Sequence, residues 1–93
     1  MDRKLAAQIR RLLVQGRYYA TVHAVEEMEE DAVFDSDIVA AAETMDALKI
    51  QRDRRGPKYK FSGFSGDRRI GVVCRFTPRG LLRIITVYEI EGA

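Results

Sequence analysis

The chain predicts an α+β domain, with N-terminal helices packed on one face of an antiparallel sheet of three or four strands. Three observations carry that prediction. Apolar residues recur at helical spacing as far as Met45, the period changes to two from Lys58 onward, and the turn sequences Ser65-Gly66 and Thr77-Pro78-Arg79-Gly80 divide the second half into hairpins. With 93 residues and a hydrophobic content of 46%, there is material for one core, so residues 1–93 are expected to form a single domain.

The first helix is expected from about Asp2 to Gln15. Leu5, Ile9, Leu12 and Leu13 form its apolar stripe, Lys4, Arg10 and Arg11 lie elsewhere, and Gly16 is placed to stop it. A second helix can start after Thr21 as N-cap, with Val25 and Met28 inward and Glu26, Glu27, Glu29 and Glu30 in solvent. Asp35 is the expected cap of a third helix. Phe34 and Val39 would form a hydrophobic staple across that cap, and Ile38, Ala42 and Met45 continue the apolar face. The cluster from Arg52 to Pro57 then interrupts regular structure, after a short strand at Leu48 to Gln51.

Turn chemistry sets the expected strand register. A two-residue loop at Ser65-Gly66 pairs Phe64 with Asp67, Phe61 with Ile70 and Tyr59 with Val72. A type I turn ending in Gly80 pairs Thr77 with Leu81, then Phe76 with Leu82, Cys74 with Ile84, Val72 with Thr86 and Ile70 with Tyr88. One face then holds Tyr59, Phe61, Ile70, Val72, Cys74, Phe76, Leu82, Ile84, Thr86 and Tyr88, as a face under helices should. The other holds Lys58, Lys60, Ser62, Arg69, Gly71, Val73, Arg75, Arg83, Ile85, Val87 and Glu89, with Arg75 directly opposite Arg83 and Arg69 meeting Glu89. Like charges directly opposite are destabilising unless an anion sits between them, so that face looks built to receive a phosphate.

Charge is sorted along the chain. Tyr18 to Leu48 contains nine acidic residues and no Lys or Arg, whereas Lys49 to Arg83 contains eleven basic residues and only Asp53 and Asp67 as acids. The net charge of +2 therefore conceals a strong dipole, and a focused basic surface favours polyanions. One cysteine, Cys74, and one histidine, His23, exclude an internal disulfide and a four-ligand zinc site of the usual kind, so no metal or other cofactor is expected. The longest apolar runs are only a few residues and the N-terminus lacks a signal-peptide pattern, so a cytoplasmic protein without membrane association is expected. Neither a phosphate-binding Gly-rich loop nor a dinucleotide fingerprint is present.

The basic sheet face is thus the candidate RNA-binding site: Lys58, Lys60, Arg69, Arg75 and Arg83, extended by Arg54, Arg55 and Arg79 in the flanking loops. The bland reading, a solvated face that keeps a small protein soluble, stands beside it. Tyr59, Phe61 and Tyr88 fall on the core face by parity and are expected to pack, not to stack on bases; Cys74 is expected to be an inert buried thiol. His23 is the only imidazole, the side chain best suited to proton transfer near neutral pH. It can hydrogen-bond Glu27 one turn later, and both a structural and a catalytic role are open to it.

The residues His23-Ala24 followed by Met28, Phe34 with Asp37-Ile38, Tyr59 and Gly63, Arg69-Ile70-Gly71-Val72-Val73, and Ile85-Thr86-Val87-Tyr88 resemble a bacterial domain family of unknown function. That family is similar in architecture to the RelE-like and BrnT-like toxins of toxin–antitoxin pairs, and its genes often neighbour a zinc-finger antitoxin of the type paired with the MqsR toxin. The resemblance spans about Tyr18 to Tyr88. It departs at Glu27 and Ala32, where the family commonly carries Arg and Gly, so a cation that could join a phosphate site is here an anion. The resemblance implies a RelE-like fold and metal-independent ribonuclease chemistry. Arg75 and Arg83 would stabilise the phosphorane charge, and Lys60, or alternatively His23, would serve as acid or base. The implied partners are RNA, including ribosome-associated messenger RNA, and an antitoxin of zinc-finger type.

The leading expectation is therefore a toxin-type, metal-independent ribonuclease or RNA-binding protein. The alternative is a non-catalytic module whose basic face binds RNA or an acidic protein segment. A third class is a homo-oligomer that sets acidic helices against basic sheet.

Overall fold

The computed structural model describes residues 1–92 and gives three helices and five strands in the order α1 (Arg3–Val14), β1 (Tyr18–Ala20), α2 (Val22–Asp31), α3 (Asp35–Glu43), β2 (Ala47–Asp53), β3 (Gly56–Ser65), β4 (Arg68–Phe76) and β5 (Leu82–Ile90). The strands form one mixed sheet in the order β1-β5-β4-β3-β2. The α+β class is as expected; the strand number is five. The additional strand is β1, three residues paired in parallel with the start of β5, and β2 is a full hairpin partner of β3. Tyr18–Ala20 is too short for a period to show, so nothing local announces a strand there.

Local chemistry explains the helix ends. Asp2 accepts the amide of Leu5 and caps α1, and Thr21 accepts the amide of Ala24 and caps α2. Helix α3 starts one residue earlier than expected. Phe34 is its N-cap, Asp35 its first residue, and the Asp37 carboxylate accepts the Phe34 amide at 2.7 Å. Phe34 is 68% exposed, so the expected staple to Val39 does not form. Helix α2 ends at Ala32, whose φ of 53° lies in the left-handed region, and the Val33 amide reaches back to the Met28 carbonyl at 2.8 Å.

The helices cover one face of the sheet. Ile9 and Leu13 from α1, Ala24 from α2 and Ile38, Ala41 and Ala42 from α3 meet Phe61, Ile70, Val72, Cys74, Leu82, Ile84 and Val87. Each fully buried aliphatic side chain contributes about 1.5–3 kcal/mol relative to exposure. Val25, expected inward, is 41% exposed, because Ala24 and Met28 occupy the inward stripe of α2. Gly63 permits the closest approach of helix to sheet: a Cβ there would overlap the carbonyl group of Ala41.

Two register details differ from expectation, with unequal consequences. The β3–β4 loop is Gly66-Asp67, one residue on, so Phe61 pairs with Val72 and Tyr59 with Cys74. Gly66 has a φ of 62° at the first loop position, where a tight hairpin needs it. This displaces the pairing by two residues and leaves every side chain on its expected face. The β4–β5 ladder begins as expected, with Phe76 opposite Leu82, Arg75 opposite Arg83 and Cys74 opposite Ile84. A bulge then places Val73 opposite Thr86, leaving Ile85 as the extra residue. Parity reverses beyond it. Val87 becomes fully buried, and Thr86 and Tyr88 pass to the outer face.

Candidate nucleic-acid interface

The outer face is shaped by the bulge. Tyr88, expected in the core, lies opposite Gly71, and a Cβ on Gly71 would overlap its ring. The space that Gly71 leaves for want of a side chain is filled by an aromatic ring, a cross-strand pairing that restores packing where glycine has none. The Lys60 ammonium stands 5.5 Å from the centre of that ring. Lys60, Lys49, Arg69, Tyr88 and Ile90 line a hollow of about 290 Å³ in the middle of the face.

Arg69 is positioned there by β2 and β3. Its guanidinium lies 3.2 Å from Asp46 and donates to the Ser62 hydroxyl at 3.1 Å, while Ser62 donates to Asp46 at 2.6 Å. The Ser62 hydroxyl, followed by Arg69, holds the Asp46 carboxyl below the usual carboxylate range. The expected Arg69–Glu89 contact is absent, because the bulge moves Glu89 to the inner side. There it pairs with Arg68 at 2.7 Å, and Arg68 also donates to the Asp31 and Ala32 carbonyls at the end of α2.

A second cleft, of about 380 Å³, lies towards the β2–β3 turn and is lined by Asp53, Arg54, Arg55, Lys58, Arg75, Arg83 and Ile85. The expected opposition of Arg75 and Arg83 is present, and the anion that relieves it belongs to the protein. Arg75 donates to Asp53 at 2.5 Å and to the carbonyls of Gly56 and Pro57. The Arg55 amide and then Arg75 hold the Asp53 carboxyl low. Arg75 is thus a structural cation that braces the β2–β3 turn. Arg83 and Lys60 make no ion pair among the described residues, and Lys58 stands 4.0 Å from Asp53.

The structure therefore brings Arg54, Arg55, Lys58, Arg75 and Arg83 together around one cleft and sets Lys60 with Arg69 in the adjoining hollow. Arg79 lies in the β4–β5 turn and lines neither. His23 does not join them. Its imidazole is 3.3 Å from Glu27 and its side chain 65% exposed, and Glu27 accepts the Val87 amide at 3.1 Å. Four residues on, Asp31 accepts the Glu89 amide at 3.4 Å. Beyond the short β1, these carboxylates close the bare edge of β5, which gives part of the acidic helix a structural task. Lys49 and Tyr88 are the members of the outer face that sequence reasoning missed. Lys49 is signalled by the alternation of β2, and Tyr88 by the glycine it must cover.

Cys74 is buried as expected, and burial pushes its thiol up to about 12, which keeps it protonated and inert. Among the described residues no group of three His, Cys, Asp or Glu side chains is placed to hold a metal ion, and no helix is long and apolar enough to cross a membrane.

Fold and site together define a small α+β domain with helices on one side of a mixed sheet and cations on the other. The chain belongs to the family described as Domain of unknown function (DUF4258), which matches residues 20–89. No curated protein and no solved structure matches it.

Proposed function

We propose that the outer face of the sheet binds RNA, with Lys49, Lys58, Lys60 and Arg83 as the phosphate-contacting cations. The observation that supports this reading is one sheet face on which Lys49 and Lys60 flank the Tyr88 ring and Lys58 and Arg83 line the second cleft, while Arg69 and Arg75 are held by Asp46 and Asp53. Cations that already serve internal carboxylates contribute less to a polyanion than those that do not, so the weight of binding falls on Lys49, Lys60 and Arg83, with Lys58 partly engaged by Asp53. Single-stranded RNA suits a flat face with one aromatic group better than a duplex does.

The finer reading is a toxin-type ribonuclease with an antitoxin partner. The 2′-hydroxyl would attack the adjacent phosphorus and lose its proton to water, the P–O5′ bond would break to leave a 2′,3′-cyclic phosphate, the Lys60 ammonium would protonate the leaving 5′-oxygen, and Arg83 would stabilise the phosphorane oxygens. One observation favours the non-catalytic alternative: the sole imidazole stands on α2 beside Glu27 and lines neither cationic cleft.

Fluorescence anisotropy with a single-stranded RNA oligonucleotide tests binding. The Lys60→Glu/Arg83→Glu variant should stay folded, lose at least about tenfold in affinity at low salt and show a shallower salt dependence. Affinity equal to that of the parent chain would remove the RNA reading. Cleavage is tested by comparing RNA with its 2′-O-methyl analogue. Tight binding to both with neither cut selects the non-catalytic module.

A further inference from the structure

The first half of the chain presents a surface of opposite character. Strand β1, helix α2 and the start of α3 enclose a groove of about 1090 Å³ whose walls include Tyr19, Val25, Met28 and Phe34. Val25 and Phe34 in its walls are large apolar side chains left open to water, where a solvated surface would ordinarily be polar.

Beside the groove runs a free strand edge. β1 is the last strand of the sheet and pairs only with β5. The Arg17 carbonyl accepts from the Leu82 amide at 3.1 Å, and the Thr21 amide donates to the Ile84 carbonyl at 2.9 Å, so the odd-numbered residues face β5. Strand alternation therefore turns the amides and carbonyls of Tyr18 and Ala20 to the outside, ready to pair with another strand. The charged residues lining the groove, Glu29 and Asp35, are both acidic. Arg68, the cation that reaches the end of α2, is engaged by Glu89 and by the Asp31 and Ala32 carbonyls.

We propose that this groove is a protein-docking site for an extended segment of a different chain. The segment adds as a strand to the free edge of β1, places alternate apolar side chains in the groove and carries basic residues at its ends, within reach of Glu29 and Asp35. A second copy of this chain fits poorly. A symmetric contact through this face would set the acidic stretch from Tyr18 to Leu48 against itself. The groove shares no lining residue with the two cationic clefts, so the proposal does not depend on RNA binding.

The test titrates the isotopically labelled full chain with a peptide of about eight residues, Val alternating with Thr between lysines at both ends, followed by amide NMR, against the same peptide with Glu at both ends. The Lys-ended peptide should shift the amides of Tyr18, Ala20, Val25 and Phe34, slow hydrogen exchange at Tyr18 and Ala20, and bind at least about tenfold tighter than its acidic counterpart. Val25→Ser/Phe34→Ser changes exposed side chains only and should abolish these shifts with the fold intact, and Glu29→Lys, which leaves Asp35 balanced by one lysine, should erase the charge preference. No shift at about 1 mM peptide, equal binding of both peptides, or shifts centred on Lys60 and Arg83 would overturn the proposal. So would sedimentation showing a dimer of the chain alone with Tyr18 and Ala20 protected, which would make the occupant a second copy.

Discussion

On the inner side of the sheet Gly63 lies against the backbone of α3, and on the outer side Gly71 lies under the ring of Tyr88. Both glycines leave room for a neighbour, but the neighbours differ in what they can do. The Ala41 carbonyl belongs to a helix fixed by Ile38 and Ala42 in the core, whereas the Tyr88 ring is a half-buried side chain on the outer face, outside the core. The inner face is therefore a packed surface that tolerates no added volume, and the outer face is adaptable, as a ligand-binding surface has to be.

The sharpest way to break this comparison is a methyl group at each glycine. Gly63→Ala should destabilise the protein by about 3 kcal/mol, read from the urea midpoint, because helix and strand must separate. Gly71→Ala should cost about 1 kcal/mol and move the Tyr88 and Lys60 resonances, since a ring rotation relieves the overlap. Equal losses would mean that the outer ring is as fixed as the core.

The join between helix layer and sheet gives the next effect. Ala32 holds a left-handed φ while its carbonyl accepts from Arg68. Ala32→Gly removes the Cβ penalty at that cap and should stabilise the fold by about 0.5–1 kcal/mol, measured by the same titration. The smallest effect concerns acid. Asp46 is held low by Ser62 and Arg69, and Asp37 by Ser65 and then the Phe34 amide. A depressed folded-state pKa means stability that is complete above the ordinary carboxyl value, about pH 4, and lost as pH falls through the lowered value. Both groups are largely solvated, so Asp46→Asn should cost less than about 1 kcal/mol at neutral pH. It should also flatten the acid limb of a pH–stability curve.

The helices were legible because capping and apolar spacing are local signals: Asp2, Thr21 and the stripe Leu5, Ile9, Leu13 act within a turn or two of chain. The third helix was displaced by a residue because Asp37 at its third position, not Asp35, supplies the carboxylate that holds Phe34. The hairpin beginning at Thr77 was legible because Gly80 is needed at positive φ. The half of that ladder beyond the bulge was not. Ile84-Ile85-Thr86-Val87 is apolar on both parities, so the sequence permits either face, and the choice falls to contacts far along the chain. The candidate cations were legible as a set, but their division into engaged and open members depends on Asp46 and Asp53, which only the β2–β3 pairing brings alongside.

By itself the sequence determined the α+β class, the buried Cys74, the opposition of Arg75 and Arg83, and the separation of acidic helices from a basic sheet, since each follows from period or turn chemistry. The tertiary structure decided the rest. The bulge opposite Val73 and Cys74 moved Tyr88 outward and Val87 inward, and Asp53 supplied an anion to Arg75 while Arg83 was left without an ion pair among the described residues. The short strand β1 completed one edge of the sheet and left its own edge bare. These are outcomes of long-range pairing, where a single residue inserted in one strand reverses every side chain after it.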